Sequence, residues 1–486
     1  MNYLKLSLTI LTIAFQLYTS YRIVNETRNT SKALGYLILT ITLPLLGGFI
    51  YYSFGVNYRL RKLFSKKIKF KINTRKKIKQ MMIDRTRQLI QQHINKIQPF
   101  DDLSKLLLQD SESSLSINRV QLLTNGEEKF PAVFEALEAA KYFIHIEYYI
   151  WDDDITGNQF KDILIQKAQQ GVKIRMIYDD FGSKGIKKRI KKELRAAGVE
   201  IHPFYKVLFV ILAHRMNNRD HRKIIIVDGK VGFIGGINVS DKYVNNVGEK
   251  TGEIRYWRDT HIKIEGPAVN SLQLHFIINY NFCAEQHLEV TKEFFPLPLD
   301  AEVGEDLVQI VAGGPDYERS SIMLSLFSAI SEAEEKVYIT SPYFIPNETV
   351  IDAIKKSALS GKDVRLLMPG ISDSRVVSAA SKYYIQELLE VGVRVFLYRK
   401  GFVHAKTVTL DGKLAIVGTA NMDHRSFDLN FEINALVYSE RVAQELEAAF
   451  LNDLKDSKEV LLNHWKYQSK FRFFGYALAR LLSPLL

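Results

Sequence analysis

Along most of the chain, short runs of β-branched and aromatic residues alternate with amphipathic stretches of helical period. FIHIEYYI (143–150) reads as a strand, GNQFKDILIQKAQQG (157–171) as a helix, and VKIRMIYDD (172–180) as a second strand. The same order returns later as VYITSPYFI (337–345), ETVIDAIKKSALSG (348–361) and VRLLM (364–368). Near-continuous apolar strands separated by helices predict a central sheet covered on both faces, an α/β fold. The DGK tripeptides at 228–230 and 411–413 are hairpin signals that add antiparallel pairing, so the sheet should be mixed.

The pattern is duplicated residue by residue. HRKIIIVDGKVGFIGGIN (221–238) and HAKTVTLDGKLAIVGTAN (404–421) align without a gap and share His, Lys, Asp, Gly, Lys, Gly and Asn. KYFIHIEYYI (141–150) matches KVYITSPYFI (336–345), GVKIRMIYDD (171–180) matches GKDVRLLMPG (361–370), and ELRAAGVEIHPFY (193–205) matches ELLEVGVRVFLYR (387–399). WRDTHIKI (257–264) matches NFEINALV (430–437), which sets Asp259 against Glu432. Five blocks in one order, at a period of roughly 190 residues, are a domain duplication and not a solenoid. Two homologous α/β domains are expected, over 101–300 and 301–465.

Ahead of them lies a different kind of sequence. Gly35 to Phe54 carries no charge over 20 residues, which as one helix is about 30 Å, the depth of a bilayer core. Leu6 to Tyr18 is a shorter apolar run, a second span or the apolar part of a signal peptide. With no A-x-A site after it and a full span close behind, a transmembrane helical hairpin over 1–56 (about 4–20 and 35–54) is favoured over cleavage. Residues 57–100 then read as a basic juxtamembrane linker. Arg59 to Lys79 holds eleven Lys or Arg and no acid, nearly all of the formal net charge of +12. What remains of the chain is near neutral, whereas a nucleic-acid enzyme should carry basic charge along its binding face. A basic collar beside a span follows the positive-inside rule and places the domains on the cytoplasmic side of the cell membrane; it either attracts anionic lipid headgroups or only sets topology. The tail, 466–486, mixes arginines with Phe and Leu. An interfacial helix and a helix docked on the second domain both fit it.

At 47% hydrophobic residues the chain can bury two cores. The single cysteine, Cys283, excludes an intramolecular disulfide and is expected to be a buried thiol.

The paired motifs suit phosphoryl chemistry. One neutral imidazole can attack phosphorus while a second, protonated one gives its proton to the leaving oxygen. Lys223 and Lys406 stand two residues after His221 and His404, on the same strand face, where an ammonium can hold phosphate oxygens. Asn238 and Asn421 are candidate donors to the same oxygens. Asp259 and Glu432 can accept from the imidazoles, fixing tautomer and raising basicity. Asp228 and Asp411 belong to the motif set, but are expected to secure a turn or the domain interface. His145, His202, His214 and His275 have no repeated partner and are taken as structural or surface residues. No metal-binding cluster or Gly-rich phosphate loop stands out, so no metal or nucleotide cofactor is expected.

The paired H-x-K-x-x-x-x-D motifs resemble those of the phospholipase D superfamily. With YDDFGS (178–183), NRDHRKIIIVDGK, YWRDTHIKIEGPAV, SPYFIP (341–346), GFVHAKT and VGTANMDHRSFDLNFEIN, the chain is similar over nearly its full length to the bacterial cardiolipin synthases within it. The resemblance implies two α/β/α domains sharing one active site, with His221 and His404 face to face. It implies a catalytic set of His221, Lys223, Asp228, His404, Lys406 and Asp411, and a reaction joining two phosphatidylglycerol molecules into cardiolipin and glycerol. His221 is preferred as nucleophile on that basis. A hydrolytic phospholipase D, or a phosphatidyltransferase using another lipid donor, would employ the same residues.

Overall fold

The computed structural model describes residues 2–27, 30–55, 72–111, 113–186, 188–204, 218–246, 256–284, 288–317 and 319–483. One mixed sheet of fifteen strands runs through both halves. From its outer edge inward, the first half contributes Glu200–Phe204, Lys173–Asp179, Phe143–Tyr148, Lys223–Val227, Val231–Gly235, Thr260–Glu265 and Ser116–Thr124. The second half repeats that order with Arg394–Tyr398, Asp363–Pro369, Lys336–Thr340, Thr407–Leu410, Leu414–Gly418, Glu432–Tyr438 and Asp306–Gly313. It adds an antiparallel edge strand, Ser457–Val460. In both halves the outer three of these seven are parallel and the next pairing is antiparallel. The duplicated sequence blocks therefore occupy equivalent places in one topology. Helices Ile155–Gln169 and Glu348–Leu359 make the crossovers that parallel neighbours require. Both start on a capping side chain: Asp154 accepts from the Gly157 N–H, and Asn347 from the Val350 N–H.

The halves are welded edge to edge. Ser116–Asn118 pairs antiparallel with Asp306–Val308, and Ile234, Ile262 and Phe276 share a buried cluster with Ile310, Val417 and Ile433. The DGK signals form two-residue hairpin turns. Asp228 and Gly229 have φ of 49° and 63°, Asp411 and Gly412 have 54° and 64°, and the Lys230 and Lys413 N–H groups close the turns onto Val227 and Leu410. Left-handed φ at both central residues is what a type I′ turn demands, and Asp-Gly supplies it.

Three expectations are corrected. Gly35 to Phe54 is not one helix. It breaks between Thr30–Thr42 and Pro44–Phe54, because Pro44 lacks an N–H and its ring cannot sit inside a helix beside the carbonyl four residues back. The second piece doubles back, so that Tyr51 meets Tyr36 at 5.6 Å between ring centroids and its hydroxyl reaches Glu26. Among the described residues no helix is long and apolar enough to cross a membrane. Secondly, the supposed linker is largely structural. Helix Ile72–Gln92 and residues up to 107 place Leu89, Ile90, Ile97, Phe100, Leu103 and Leu107 in a core with Leu307, Ile322 and Leu326 of the second half. The side chains of Arg59 to Lys79 lie outside the described residues, as does His214. Thirdly, Cys283 is half-buried, near the end of helix Ala268–Cys283.

Candidate active site

The two motif strands end beside one another at the seam between the halves. The His221 N–H donates to the Phe431 carbonyl, and the His404 N–H donates to the Arg258 carbonyl. Phe431 and Arg258 immediately precede Glu432 and Asp259, so each histidine is brought to the carboxylate of the opposite half. The short parallel ladder of Phe402–Val403 with Trp257–Arg258, and the Asp220–Phe431 bridge, fix these crossings.

The side chains follow. His221 Nδ1 lies 2.9 Å from Glu432 Oε1, and His404 Nδ1 lies 2.7 Å from Asp259 Oδ2. All four are buried. A carboxylate only accepts, so each Nδ1 carries the proton and each Nε2 keeps its lone pair. Thr419 Oγ1 and Asn430 Nδ2 also donate to Glu432, whereas Asp259 Oδ1 accepts from the Thr260 N–H. Burial pushes the His221 ring down to about 4 against the pull of Glu432, with Lys223 pushing it further down. Burial and the neighbouring Lys406 put His404 down to about 3, opposed by Asp259. Burial works against the charge of Glu432, yet His221 and Lys223 hold its carboxyl below the ordinary value. For the His221–Glu432 pair, a neutral ring donating to a charged carboxylate satisfies both shifts.

The lysines sit behind the rings. Lys223 Nζ donates to the His221 carbonyl at 2.6 Å, and Lys406 Nζ donates to the His404 carbonyl while lying 2.9 Å from His404 Nδ1. Burial lowers Lys223 to about 7 and Lys406 to about 8. Neither lines the cleft, so their reach to a bound phosphate is electrostatic in this geometry.

Both imidazoles open on one cleft of about 780 Å³. Asn238 and Asn421 line it as well. Asn238 is already engaged, accepting from the Ile150 N–H and donating to the Tyr243 hydroxyl at 2.6 Å; Asn421 Oδ1 is buried with no hydrogen-bond partner among the described residues. Asp228 and Asp411 are not in the cleft. Each accepts three backbone N–H groups at the start of a neighbouring strand: Asp228 from Lys141, Tyr142 and Phe143, Asp411 from Glu334, Glu335 and Lys336. They secure strand starts within their own halves. His145 (with Gln273), His202 and His275 (each near a tyrosine hydroxyl) are tied to structural neighbours. Sequence reasoning missed Tyr149, Tyr243, Tyr343, Arg219 and Arg425, all in the cleft wall. Arg219 and Arg425 stood inside the quoted NRDHRK and NMDHRSF blocks, two residues before His221 and four after Asn421.

A family model described as "Cardiolipin synthase, PLD-like domain" matches residues 133–260 and 326–454, one match in each half. The chain is 40% identical over 466 residues to "Cardiolipin synthase 2" of Bacillus anthracis, covering 95% of this chain and 88% of that one. The chain belongs to the cardiolipin synthase family of the phospholipase D superfamily. A cardiolipin synthase of Listeria innocua matches at 37% identity over 486 residues, covering 100% of this chain and 99% of its own. In fold, the crystal structure of phosphatidylserine synthase from Haemophilus influenzae aligns with a TM-score of 0.59 at 15% identity, over 79% of this chain and 100% of that one. In this chain the two halves bring His221, His404, Asp259 and Glu432 to a single seam. Among the described residues no group of three or more His, Cys, Asp and Glu could hold a metal ion.

Proposed function

We propose that the protein joins two phosphatidylglycerol molecules into cardiolipin and glycerol through a phosphohistidine. The observation that carries this reading is the pair of imidazoles, each fixed by the other half's carboxylate, presenting two bare Nε2 atoms to one cleft. His221 Nε2 attacks the phosphorus of the first phosphatidylglycerol. The bond from phosphorus to the glycerol oxygen breaks, and His404 delivers a proton to that oxygen as glycerol leaves. The phosphatidyl group rests on His221. A hydroxyl of the second phosphatidylglycerol then attacks, His404 takes its proton, and cardiolipin leaves with both histidines restored. His404 must be charged for the first step although burial holds it neutral. The phosphate's own negative charge, added to Asp259, offsets that penalty, so the acid is recruited by substrate binding.

Transfer to a lipid hydroxyl requires that water be kept from the phosphohistidine, and a cleft opening toward the bilayer supplies that exclusion. Two apolar elements beside the cleft support the reading. The N-terminal helices expose Leu6, Ile10, Leu17, Leu45 and Phe49, and Lys32 binds Asp428 at the end of helix His424–Asp428, which carries Arg425. Helix Lys470–Leu481 packs Phe473, tilted, against Tyr383 at 5.4 Å between ring centroids and sets Arg480 over the same ring. Tyr383 belongs to helix Arg375–Tyr383, whose Val377 lines the cleft. The opposite face of Lys470–Leu481 leaves Phe471 89%, Phe474 62% and Leu481 68% exposed. Docking and membrane contact are thus compatible in one tail, and we read both elements as anchors on the cell membrane, with anionic lipid as substrate and surface.

The deciding experiment gives the purified protein phosphatidylglycerol alone. Glycerol released in step with cardiolipin is expected; glycerol released with phosphatidic acid would make the enzyme a hydrolase.

A further inference from the structure

The pseudo-symmetry of the halves fails at the flanks of the cleft. Arg219 stands two residues before His221, and Phe402 two before His404. The His404 ring is surrounded by aromatic rings, with centroids at 5.9 Å for Tyr243, 5.5 Å for Trp257, 6.5 Å for Tyr343 and 5.7 Å for Phe402. The flank near His221 is cationic. Tyr149 lies 4.8 Å from the His221 ring, and the charges of both Arg219 and Arg425 reach its hydroxyl.

Arg219 is only 4% exposed, lies 4.4 Å over the Phe181 ring, and lines the cleft. Its Nη1 is buried with no hydrogen-bond partner among the described residues. Asp179, whose charge reaches it, is occupied by the N–H groups of Phe181, Gly182 and Asp220. A buried guanidinium donor with no acceptor is costly, and such groups are found where a ligand supplies the missing oxygen. The planar fork suits a phosphodiester.

We propose that Arg219, assisted by Arg425, binds the second phosphodiester, the one that is not attacked, when two phosphatidylglycerol molecules react. This rests on the phosphatidyl-transfer reading above. The acceptor lipid carries its own phosphate a three-carbon chain away from the hydroxyl that attacks. The two histidines and their lysines answer one phosphate only. The second monoanion enters a cleft that also holds Asp152, Asp373 and Asp423, and it needs a cation there. Water carries no phosphate, so this subsite favours the lipid acceptor over hydrolysis.

The test compares two reactions of one enzyme in mixed micelles of phosphatidylglycerol and isotopically labelled glycerol. Exchange of label into phosphatidylglycerol uses the reacting phosphate and a neutral acceptor; cardiolipin formation also uses the second phosphate. Arg219→Gln is expected to reduce cardiolipin formation about 10- to 100-fold more than exchange, the value of one charge-assisted hydrogen bond. Arg219→Lys should fall between. An equal loss in both reactions, or no loss in either, overturns the proposal. Should Arg219→Gln fail to fold, Arg219→Lys and Arg425→Gln read the same ratio with the same outcomes. If the unsubstituted enzyme exchanges glycerol but forms no cardiolipin, the functional reading itself fails, and the two failures are distinct.

Discussion

The residues at the seam divide the work unequally although their positions are equivalent. If His221 is the nucleophile and His404 the acid, a substrate whose leaving group needs no proton should separate them. His404→Ala should regain a burst of leaving group from a p-nitrophenyl phosphodiester, while His221→Ala stays at least about three powers of ten down. A burst from His221→Ala instead would reverse the assignment. The carboxylates should follow their crossed partners: Glu432→Gln is expected to lose roughly two or more powers of ten and resemble the His221 variant, and Asp259→Asn the His404 variant. The lysines set a pH limb. Their charge is present below the lowered values, about 7 for Lys223 and about 8 for Lys406, and is lost as pH rises through them. With a soluble short-chain phosphatidylglycerol, kcat/KM should therefore fall between about pH 7 and pH 8, mainly through KM. Lys223→Arg should move the limb upward. A profile flat across that window would show that the ammonium charges do not serve the phosphate.

At the scale of elements, most of the strands were legible because their apolar runs are continuous and are written twice. The DGK turns were legible because few residue pairs accept left-handed φ twice in succession. The pairing of histidine with carboxylate across the seam was not legible. It depends on two-residue ladders, Phe402–Val403 with Trp257–Arg258, too short to leave a period in the sequence. The aspartates of the motif were expected to secure a turn or the domain interface, but spacing shows that a residue recurs and not which backbone groups its side chain holds. Asp228 and Asp411 cap strand starts, so substitution should cost stability and spare chemistry. Asp411→Ala loses the acceptor for three N–H groups and strains a left-handed residue. A loss of about 2 kcal/mol is expected, with kcat nearly unchanged well below the melting temperature. Thermal melting beside single-temperature kinetics checks it, and a collapsed kcat at unaltered Tm would return the aspartates to the active site.

For the whole molecule, apolar length alone predicted a span, and one proline redirected it. The uncharged run from Gly35 to Phe54 is long enough to cross a bilayer, but Pro44 turns it into two short helices that lie against each other. On the proposed reading, membrane contact is made by surfaces beside the cleft, the exposed sides of the N-terminal helices and of Lys470–Leu481. This makes the tail a positioning device whose loss should be felt only when substrate must be drawn from a bilayer. Phe471 and Phe474 are exposed, whereas Phe473 makes the contact with Tyr383, so Phe471→Ser with Phe474→Ser removes apolar surface while leaving the docking ring in place. Each phenylalanine withdrawn from the interface should cost about 1.5–3 kcal/mol of burial at full insertion. Activity on anionic vesicles should drop at least about ten-fold, and co-sedimentation with the vesicles should weaken in parallel. Activity on the short-chain substrate should hold, because neither side chain reaches the cleft. Equal losses on vesicles and on soluble substrate would mean that the tail supports the fold of the second half and does not seat the enzyme on its substrate.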